Sequence, residues 1–427
     1  MPEFLTLLPP DQARLELLSH LSAPTVDSES IEVVHALGRF TAADVFAPHP
    51  LPDFPRTTVD GFAVRAKDTF GASDSLPAYL TLVAEVPMGG SPSFDIGAGQ
   101  CALIHTGGML PTGADAVVMI EYTQTTGRDG RPSAPTQEIE IFKSVAEGEN
   151  VIRIGEDVAQ GQLVIPKGTE LRPAEIGGLM ALGLTSVSVA KKPRVGLIST
   201  GDEVIDPAQT TRPGQIRDVN SYTLGALVEK CGGVAVRYGI FSDQFEALKE
   251  AATKALSECD VVLITAGSSA STRDMTADVI RTLGEPGVLV HGINTRPGKP
   301  TILAVCNGKA VIGLPGNPVS ALVNGYLFVV PVLERLLGAL PKPRAAVQAA
   351  LTVNLSSQAG REDWWPVRLH RSEQSDHTTN LGNEWRAEPI FGKSNLIFTL
   401  AAADGLLRIH PDATGLSAGE VVEVMLI

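Results

Sequence analysis

The fold of this chain is decided by the stretch Val261-Val262-Leu263-Ile264-Thr265-Ala266-Gly267-Ser268-Ser269-Ala270-Ser271-Thr272-Arg273-Asp274. Its first five residues form one apolar run without alternation, which predicts a central strand covered on both faces. The small residues that follow predict a loop whose backbone amides can approach a phosphate, with a helix beginning nearby. A buried strand, a loop and a helix in this order are typical of an open α/β sheet.

Strands and helices alternate on both sides of this segment. We expect strands at Val195 to Ser199, Val234 to Tyr238, Val288 to Val290, Thr301 to Val305 and Ala310 to Ile312, and helices at Val219 to Lys230, Gln244 to Ser257, Met275 to Leu283 and Val319 to Leu337. This alternation predicts right-handed βαβ units on a mostly parallel sheet. The last helix is about as long as a bilayer crossing, but Asn324, Pro331, Glu334 and Arg335 interrupt it, so we expect a buried helix and no membrane partner.

The chain has 427 residues, which favours several domains. Apolar residues at near-helical spacing in 11–38 (Leu15, Leu18, Leu21, Ile31, Val34, Leu37) predict a helical entry. Short apolar runs (Tyr79 to Val86, Cys101 to His105, Ala116 to Ile120, Ile139 to Phe142) predict a β-rich module. We therefore expect an α/β plus β protein with a connecting domain at 1–44 and 144–190, a β-rich domain at 45–143, an α/β domain at 191–340 and a C-terminal β domain at 341–427.

The formal net charge is −14, from 34 Lys and Arg against 48 Asp and Glu. Such an excess repels phosphate polymers, so nucleic acid is excluded as the main partner and an anionic ligand needs a locally basic pocket. The four cysteines lie far apart without a C-x-x-C pair, which argues against a zinc site and a disulfide framework. The N-terminus lacks the pattern of a signal peptide, and we expect a cytoplasmic protein.

Three loops follow expected strands of the same sheet and could share one crevice at its carboxyl edge. They are Thr200-Gly201-Asp202-Glu203, the loop from Ala266 to Asp274, and Gly313-Leu314-Pro315-Gly316-Asn317-Pro318-Val319-Ser320. Each loop alone is also compatible with a simple turn. Neither G-x-x-x-x-G-K-[ST] nor G-x-G-x-x-G occurs at a strand–helix turn, which disfavours common nucleotide hydrolases and dehydrogenases.

A short basic segment lies at Arg296-Pro297-Gly298-Lys299-Pro300 and is here called the basic clip. Two cations on a stiff segment can hold a tetrahedral oxyanion, with Arg as a fork and Lys as a point charge, although a surface turn would look the same. Three carboxylates, Asp60, Asp157 and Asp274, could bind Mg²⁺ or steer a proton, but an Asp beside Gly also forms turns.

Several motifs together resemble the molybdopterin molybdotransferases of molybdenum-cofactor biosynthesis, the type of the gephyrin E domain. The motifs are the strand and loop at 261–276, Arg194 to Glu203, Val59-Asp60-Gly61-Phe62-Ala63-Val64, His105-Thr106-Gly107 with Pro111 to Val118, Gly155-Glu156-Asp157, the basic clip, and Gly313 to Ala321. They cover nearly the whole chain in order.

The resemblance implies a homodimer with the active site between subunits, which takes adenylylated molybdopterin and molybdate and releases AMP with the help of Mg²⁺. It implies catalytic roles for Asp60, Asp157, Asp274 and Lys299, with Asp60 and Asp274 at the metal. Contacts to the substrates would come from Thr106, Gly107, Thr200, Gly201, Asp202, Glu203, Gly267, Ser268, Ser269, Ser271, Arg296, Pro315, Gly316, Asn317, Ser320, Arg361 and Ser394.

The sequence departs from the family pattern at three places. The loop lacks a second Gly at Ser268, the clip begins with Arg296 where Lys is usual, and Thr58-Val59-Asp60-Gly61-Phe62 lacks a tyrosine. The alternatives are a preference for tungstate, a non-catalytic pterin-binding or scaffold protein, and a hydrolase of pyridine-nucleotide derivatives. The order of the β modules argues against the hydrolase.

Overall fold

A computed structural model describes residues 7–22, 26–125, 137–266, 270–371 and 385–427, with side chains for all of these except 270–274. The helices are α1 Pro10–His20, α2 Pro173–Ala181, α3 Asn220–Lys230, α4 Phe245–Glu258, α5 Ala270–Arg281, α6 Pro318–Asn324, α7 Val330–Leu336 and α8 Phe398–Ala401. A π-helical turn, Gly325–Val329, joins α6 to α7, and short 3₁₀ turns span Val33–His35, Ala66–Thr69 and Ile120–Tyr122.

The strands range from two to ten residues in length. They are β1 Ser28–Glu32, β2 Val45–Phe46, β3 Arg56–Thr57, β4 Gly61–Val64, β5 Ala78–Glu85, β6 Gln100–Ile104, β7 Ala116–Met119, β8 Thr123–Thr125, β9 Glu138–Ile141, β10 Val151–Ile152, β11 Leu163–Ile165, β12 Ser186–Ala190, β13 Arg194–Thr200, β14 Val204–Ile205, β15 Ile216–Arg217, β16 Val234–Phe241, β17 Val261–Ala266, β18 Pro286–His291, β19 Thr295–Arg296, β20 Ile302–Cys306, β21 Lys309–Pro315, β22 Ala346–Leu351, β23 Leu355–Ser356, β24 Glu362–Arg371, β25 Trp385–Pro389, β26 Gly405–Ile409, β27 Gly415–Leu416 and β28 Val421–Leu426.

The N-terminal segment contains one helix, α1, followed by a strand. The expected helical spacing at 31–37 is wrong, because β1 pairs antiparallel with β12 and a 3₁₀ turn follows it. Val34 and Leu37 are exposed, whereas Val33 and Ala36 are buried. Strand pairing with a distant part of the chain outweighs local helical spacing here. The pairings β1–β12 and β2–β11 bring the segments before and after the β-rich region together.

Helix α2 begins with a capping box. The backbone N–H of Arg172 donates to Glu175 Oε2 at 2.9 Å, and the Arg172 guanidinium also donates to this carboxylate. The guanidinium hydrogen bond is the main cause that lowers the pKa of Glu175 to about 2. The ionised carboxylate therefore stabilises the first turn of the helix.

The β-rich region forms a six-stranded sheet in the order β7-β4-β6-β5-β9-β8, and its strands confirm the expected runs. Gly61 in β4 faces the backbone of Val118 in β7, and a Cβ there would collide with the Val118 carbonyl oxygen. This close approach holds the preceding residue, Asp60, whose carbonyl accepts a hydrogen bond from the Ile120 N–H at 3.0 Å.

The α/β region contains a six-stranded sheet in the order β16-β13-β17-β21-β20-β18. The pairings from β16 to β21 are parallel, and β20 and β18 are antiparallel at the edge. Apolar residues of α3 and of the helix Pro318–Leu336 pack on one face, and those of α4 and α5 pack on the other. The carboxyl ends of β13, β17 and β21 are therefore neighbours.

The helix Pro318–Leu336 is long and apolar enough to cross a membrane, but 72% of its apolar window is buried inside the fold. Phe328, for example, is fully buried in the core of the α/β region. This observation supports the prediction of a buried core helix.

The C-terminal strands β24, β25, β22, β28 and β26 pair in a closed ring, since β24 also pairs with β26. One strand of the α/β region joins this ring: β19 pairs in parallel with β24, with Thr295 opposite Glu362 and Arg296 opposite Asp363. The basic clip is thereby attached to the C-terminal region.

Candidate functional site

A cavity of about 730 Å³ lies between the basic clip, the start of α6 and the C-terminal region, and is here called the clip cavity. Four cationic side chains line it: Arg296, Lys299, Arg361 and Lys393. Among the described residues, no Asp or Glu belongs to its lining. A protein with a net charge of −14 thus forms a locally basic pocket, which is the condition for binding a small anion.

Hydrogen bonds fix the backbone of the clip on both sides. The Ile293 N–H donates to the Lys299 carbonyl at 2.8 Å, which closes the loop at its base. Thr301 Oγ1 donates to the Gly298 carbonyl at 2.8 Å, and Thr295 Oγ1 donates to the Glu362 carbonyl at 3.1 Å. The Arg296–Pro297 peptide bond is cis. The hydrogen bonds at Ile293, Thr295 and Thr301 hold the backbone that carries the two cations of the clip.

The tip of the clip requires glycine. Gly298 has φ +106°, and a Cβ at this position would collide with the amide of Asn324. Asn324 is fully buried in α6, and its Nδ2 donates to the Pro297 carbonyl at 3.3 Å and to the Ser320 carbonyl at 2.8 Å. Because the Asn324 amide occupies the space of a side chain at Gly298, helix and clip are locked in one relative position.

The cations of the clip cavity are held in different ways. Arg361 forms a two-pronged ion pair with Asp363, with Nε–Oδ1 at 2.6 Å and Nη2–Oδ2 at 2.9 Å. The hydrogen bond to Asp363 raises the pKa of Arg361. Within the described part of the chain, Arg296, Lys299 and Lys393 have no ion pair. The positive charges of these three side chains are therefore not neutralised by a described carboxylate and can interact with a ligand.

The loop Gly313 to Ser320 meets the C-terminal region at Ser394. Asn317 Nδ2 donates to Ser394 Oγ at 3.0 Å, and the Val319 N–H donates to the Ser394 carbonyl at 3.0 Å. Pro315 and Ser320 line the clip cavity beside them. The structure thus brings together the clip, this loop, Arg361 and Ser394, as the sequence analysis expects.

A second cavity of about 610 Å³ opens at the carboxyl ends of β13 and β17, and is here called the sheet cavity. Thr200, Glu203 and Gly316 line it. Asn317 and Asn395 line both cavities, so the two are direct neighbours. A ligand extending from one cavity into the other would pass these two side chains.

The sheet cavity is also lined by residues that were not predicted from the motifs, among them Asp218 and Asn220. Buried Asp218 accepts hydrogen bonds from Ser199 Oγ at 2.8 Å and Ser221 Oγ at 2.6 Å. Asn220 Nδ2 donates to the Gly316 carbonyl at 2.9 Å, and its buried Oδ1 has no protein partner in the described residues. The available signal was Asp218-Val219-Asn220-Ser221 at the start of α3, where an Asp just before the first turn is a capping pattern.

Only some of the predicted residues at the end of β13 and in the loop after it line the sheet cavity. Thr200 Oγ1 donates to the Thr265 carbonyl at 3.4 Å, and Gly201 has φ +140°. Asp202 accepts the Asp243 N–H at 3.4 Å, and neither Gly201 nor Asp202 is among the described lining residues of the cavities. Of the four predicted loop residues, Thr200 and Glu203 therefore line the sheet cavity, and their contact with a substrate stays a prediction.

The predicted loop from Ala266 to Asp274 lies mostly outside the described residues. Gly267, Ser268 and Ser269 lie outside the described residues, as do the side chains of Ser271 and Asp274.

Asp60 and its neighbours form a separate group on the β-rich region. Asp60 Oδ1 accepts hydrogen bonds from the Thr106 N–H at 2.7 Å and Thr106 Oγ1 at 3.0 Å, and His105 Nδ1 lies 3.9 Å away. The bond from the Thr106 backbone is the main cause that lowers the pKa of Asp60. Gly107 follows with φ +83° and Asp157 is exposed.

Four predicted site residues line neither cavity of the described chain: Asp60, Thr106, Gly107 and Asp157. The described residues also contain no group of three or more His, Cys, Asp or Glu side chains that could hold a metal ion. Within the described residues, Asp60 and Asp157 therefore do not belong to a metal-binding cluster, and the side chain of Asp274 lies outside them.

Comparison with known proteins identifies relatives over the whole chain. Three family models match: the MoeA N-terminal region (domain I and II) at 8–183, a probable molybdopterin binding domain at 196–335, and the MoeA C-terminal region (domain IV) at 348–427. The molybdopterin molybdenumtransferase of Bacillus subtilis is 31% identical and covers 94% of this chain and 90% of its own length. The corresponding enzyme of Haemophilus influenzae is 32% identical, with 97% of each chain covered.

A solved structure of a molybdopterin biosynthesis MoeA protein from Pyrococcus horikoshii matches with a TM-score of 0.82, 32% identity, and coverage of 99% of this chain and 100% of that one. These matches confirm the resemblance inferred from the motifs. The chain belongs to the molybdopterin molybdenumtransferase family, with the MoeA arrangement of domains.

Proposed function

We propose that this protein transfers molybdenum to molybdopterin: it takes adenylylated molybdopterin and molybdate, places the metal on the pterin dithiolene and releases AMP. The protein would act in the cytoplasm as a step of molybdenum-cofactor biosynthesis. The family membership supports the reaction class, and the two adjoining cavities support the binding of two different substrates.

The observation that carries this proposal is the basic clip cavity. Arg296, Lys299 and Lys393 line it without ion pairs among the described residues, and the lining contains none of the described carboxylates. Cations that are not neutralised by the protein bind a tetrahedral oxyanion such as molybdate through charge-assisted hydrogen bonds. The sheet cavity next to it, at the carboxyl edge of a mostly parallel sheet, is where a phosphorylated pterin would bind.

We further propose that a second copy of the chain completes the site. Asp60 is 58% exposed, and the two hydrogen bonds from Thr106 occupy only its Oδ1, so its other oxygen is open to a ligand. Mg²⁺ binds through one or two carboxylates together with substrate phosphates. Asp60 of one subunit and Asp274 of the other would therefore hold Mg²⁺ at the nucleotide, and the ion would neutralise developing phosphate charge there.

The first experiment measures AMP release from adenylylated molybdopterin with molybdate and Mg²⁺. We expect molybdate-dependent release by the unmutated protein, loss of release with retained pterin binding in Asp274→Asn, and strong loss in Lys299→Gln. Lys191→Gln is the control, since this exposed lysine pairs with Asp27 in the N-terminal part of the chain. Pterin binding without any AMP release would contradict the proposal and favour a binding or scaffold protein, and faster release with tungstate would assign the other metal.

The second experiment tests the shared site by mixing two inactive variants. Asp60→Asn and Lys299→Gln are each expected to be inactive alone. In a symmetric dimer with sites between subunits, an equal mixture re-forms one intact site in each mixed dimer, which gives about one quarter of the unmutated activity. Two variants that remain inactive after mixing and subunit exchange would show that each subunit works alone.

A further inference from the structure

Two arginines line the clip cavity, and the protein holds them by different means. Arg361 donates through two of its guanidinium nitrogens to Asp363, which is 1% exposed. Arg296 lies opposite Asp363 in the β19–β24 pairing, but both oxygens of that carboxylate are already taken by Arg361. The Arg296 guanidinium instead lies over the ring of Trp365, at 5.5 Å from its centroid.

Trp365 is a rigid platform for this contact. It follows Asp363 by two residues on β24, so its side chain leaves the strand on the same side. The ring packs against the core of the C-terminal region and meets Phe391 edge to face, at 5.6 Å between centroids. These contacts hold the ring over which the Arg296 guanidinium lies.

The two ways of holding an arginine have different electrostatic results. An ion pair neutralises the guanidinium, whereas an aromatic face attracts the cation through its quadrupole and leaves the positive charge in place. Stacking also leaves the N–H groups at the edge of the guanidinium plane unpaired, so they can bind an oxyanion in a fork. Fixing the orientation before binding reduces the entropy that the ligand must overcome.

We propose that Trp365 is a positioning residue for the oxyanion: its ring orients the Arg296 guanidinium and leaves the positive charge without a carboxylate partner among the described residues, available in the clip cavity. The inference rests on the proposed function, because it assumes that the clip cavity binds a tetrahedral oxyanion. It adds a residue that acts through Arg296 and not through direct contact with the metal oxide.

The test measures sodium molybdate binding to the full-length protein by calorimetry. Trp365→Leu removes the aromatic face and is expected to weaken binding about fivefold, the factor that a cation–π contact of moderate exposure supplies. Trp365→Phe keeps a ring and should retain most of the affinity. In an Arg296→Gln background, the same Trp365→Leu change should have no further effect, because there is no cation left to orient.

Trp385→Leu is the matched control. Trp385 lies in the same C-terminal region and carries a stacked arginine, Arg371, at 5.8 Å, but it does not belong to the described lining of the clip cavity. Its loss perturbs the domain in a similar way without touching Arg296, so oxyanion affinity should not change. If the fold does not tolerate leucine at this position, Trp365→Met is measured in its place, with and without Arg296→Gln.

The possible results separate the two proposals. A protein that binds no molybdate overturns the oxyanion site and this inference with it. Normal binding that Trp365→Leu and Trp365→Met leave unchanged overturns the role of Trp365 alone. An equal loss of affinity with and without the Arg296→Gln change also overturns it, since a general packing defect would produce that result.

Discussion

Removal of the Arg361 guanidinium should destabilise the protein, although Arg361 lies at the edge of a cavity. Asp363 is 1% exposed and its two oxygens accept hydrogen bonds from Arg361 at 2.6 and 2.9 Å. Arg361→Met leaves this carboxylate buried without its partner. The same change removes one positive charge from the clip cavity and uncovers a negative one beside it, so oxyanion affinity falls as well.

The magnitude follows from the burial of the pair. Breaking a fully buried ion pair costs about 3–5 kcal/mol because an uncompensated charge remains inside. The Arg361 side chain is 26% exposed. Water can therefore reach the carboxylate through the space it leaves, and we expect a loss of about 2–3 kcal/mol in the free energy of unfolding.

Urea unfolding followed by tryptophan fluorescence measures this change, because Trp364 and Trp365 follow Asp363 directly. Adding Asp363→Asn to Arg361→Met removes the buried charge and should recover more than half of the lost stability. Lys299→Met in the same cavity has no ion pair to break among the described residues and should change stability by less than about 0.5 kcal/mol while still weakening molybdate binding. Equal stability of Arg361→Met and the unmutated protein, or no recovery in the double variant, would refute the reasoning.

Three further changes have defined outcomes. Thr106→Val removes one of the two hydrogen bonds to Asp60, so the pKa of Asp60 should rise toward its ordinary value and the acid limb of the kcat/KM profile should move to higher pH. Gly298→Ala places a methyl group against Asn324 at φ +106° and should cost about 1–3 kcal/mol of stability with loss of molybdate affinity, part of which Asn324→Ala restores by removing the collision. Glu175→Gln should lower stability by about 1 kcal/mol near neutral pH in urea unfolding. Since the folded state lowers the pKa of this carboxyl from 4.5 to about 2, the difference between the two proteins should disappear as the pH falls through that range.

The central part of the fold was predictable because its signals are local and strong. The run at 261–265 has no polar alternation, and it forms a strand of buried residues, β17, in the interior of the sheet. The segment 31–37 shows the opposite case. Its apolar spacing fits a helix, but pairing with residues 186–190, far along the chain, makes it a strand and a 3₁₀ turn. The spacing of apolar residues within a segment gives no information about a pairing strand that lies far along the chain.

The position of the candidate site was predictable in part, where residue type alone carries the chemistry. Arg296, Lys299 and the loop at 313–320 stand out by their charge and their glycine and proline content, and the structure brings them together. Trp365 and Lys393 were missed, because their value depends on the C-terminal ring folding against the clip. A tryptophan in a strand looks like any core residue until its cationic neighbour is known.

The pairing of β19 with β24 limits how this molecule can open. A rotation of the C-terminal region away from the α/β region would break the hydrogen bond from the Glu362 N–H to the Asn294 carbonyl. It would also separate β19, which carries Arg296 of the clip, from β24. A chain cut before residue 346 would remove Arg361, Lys393 and Trp365 from the clip cavity and Asn395 from the sheet cavity, and would leave Arg296 on a strand without its partner β24.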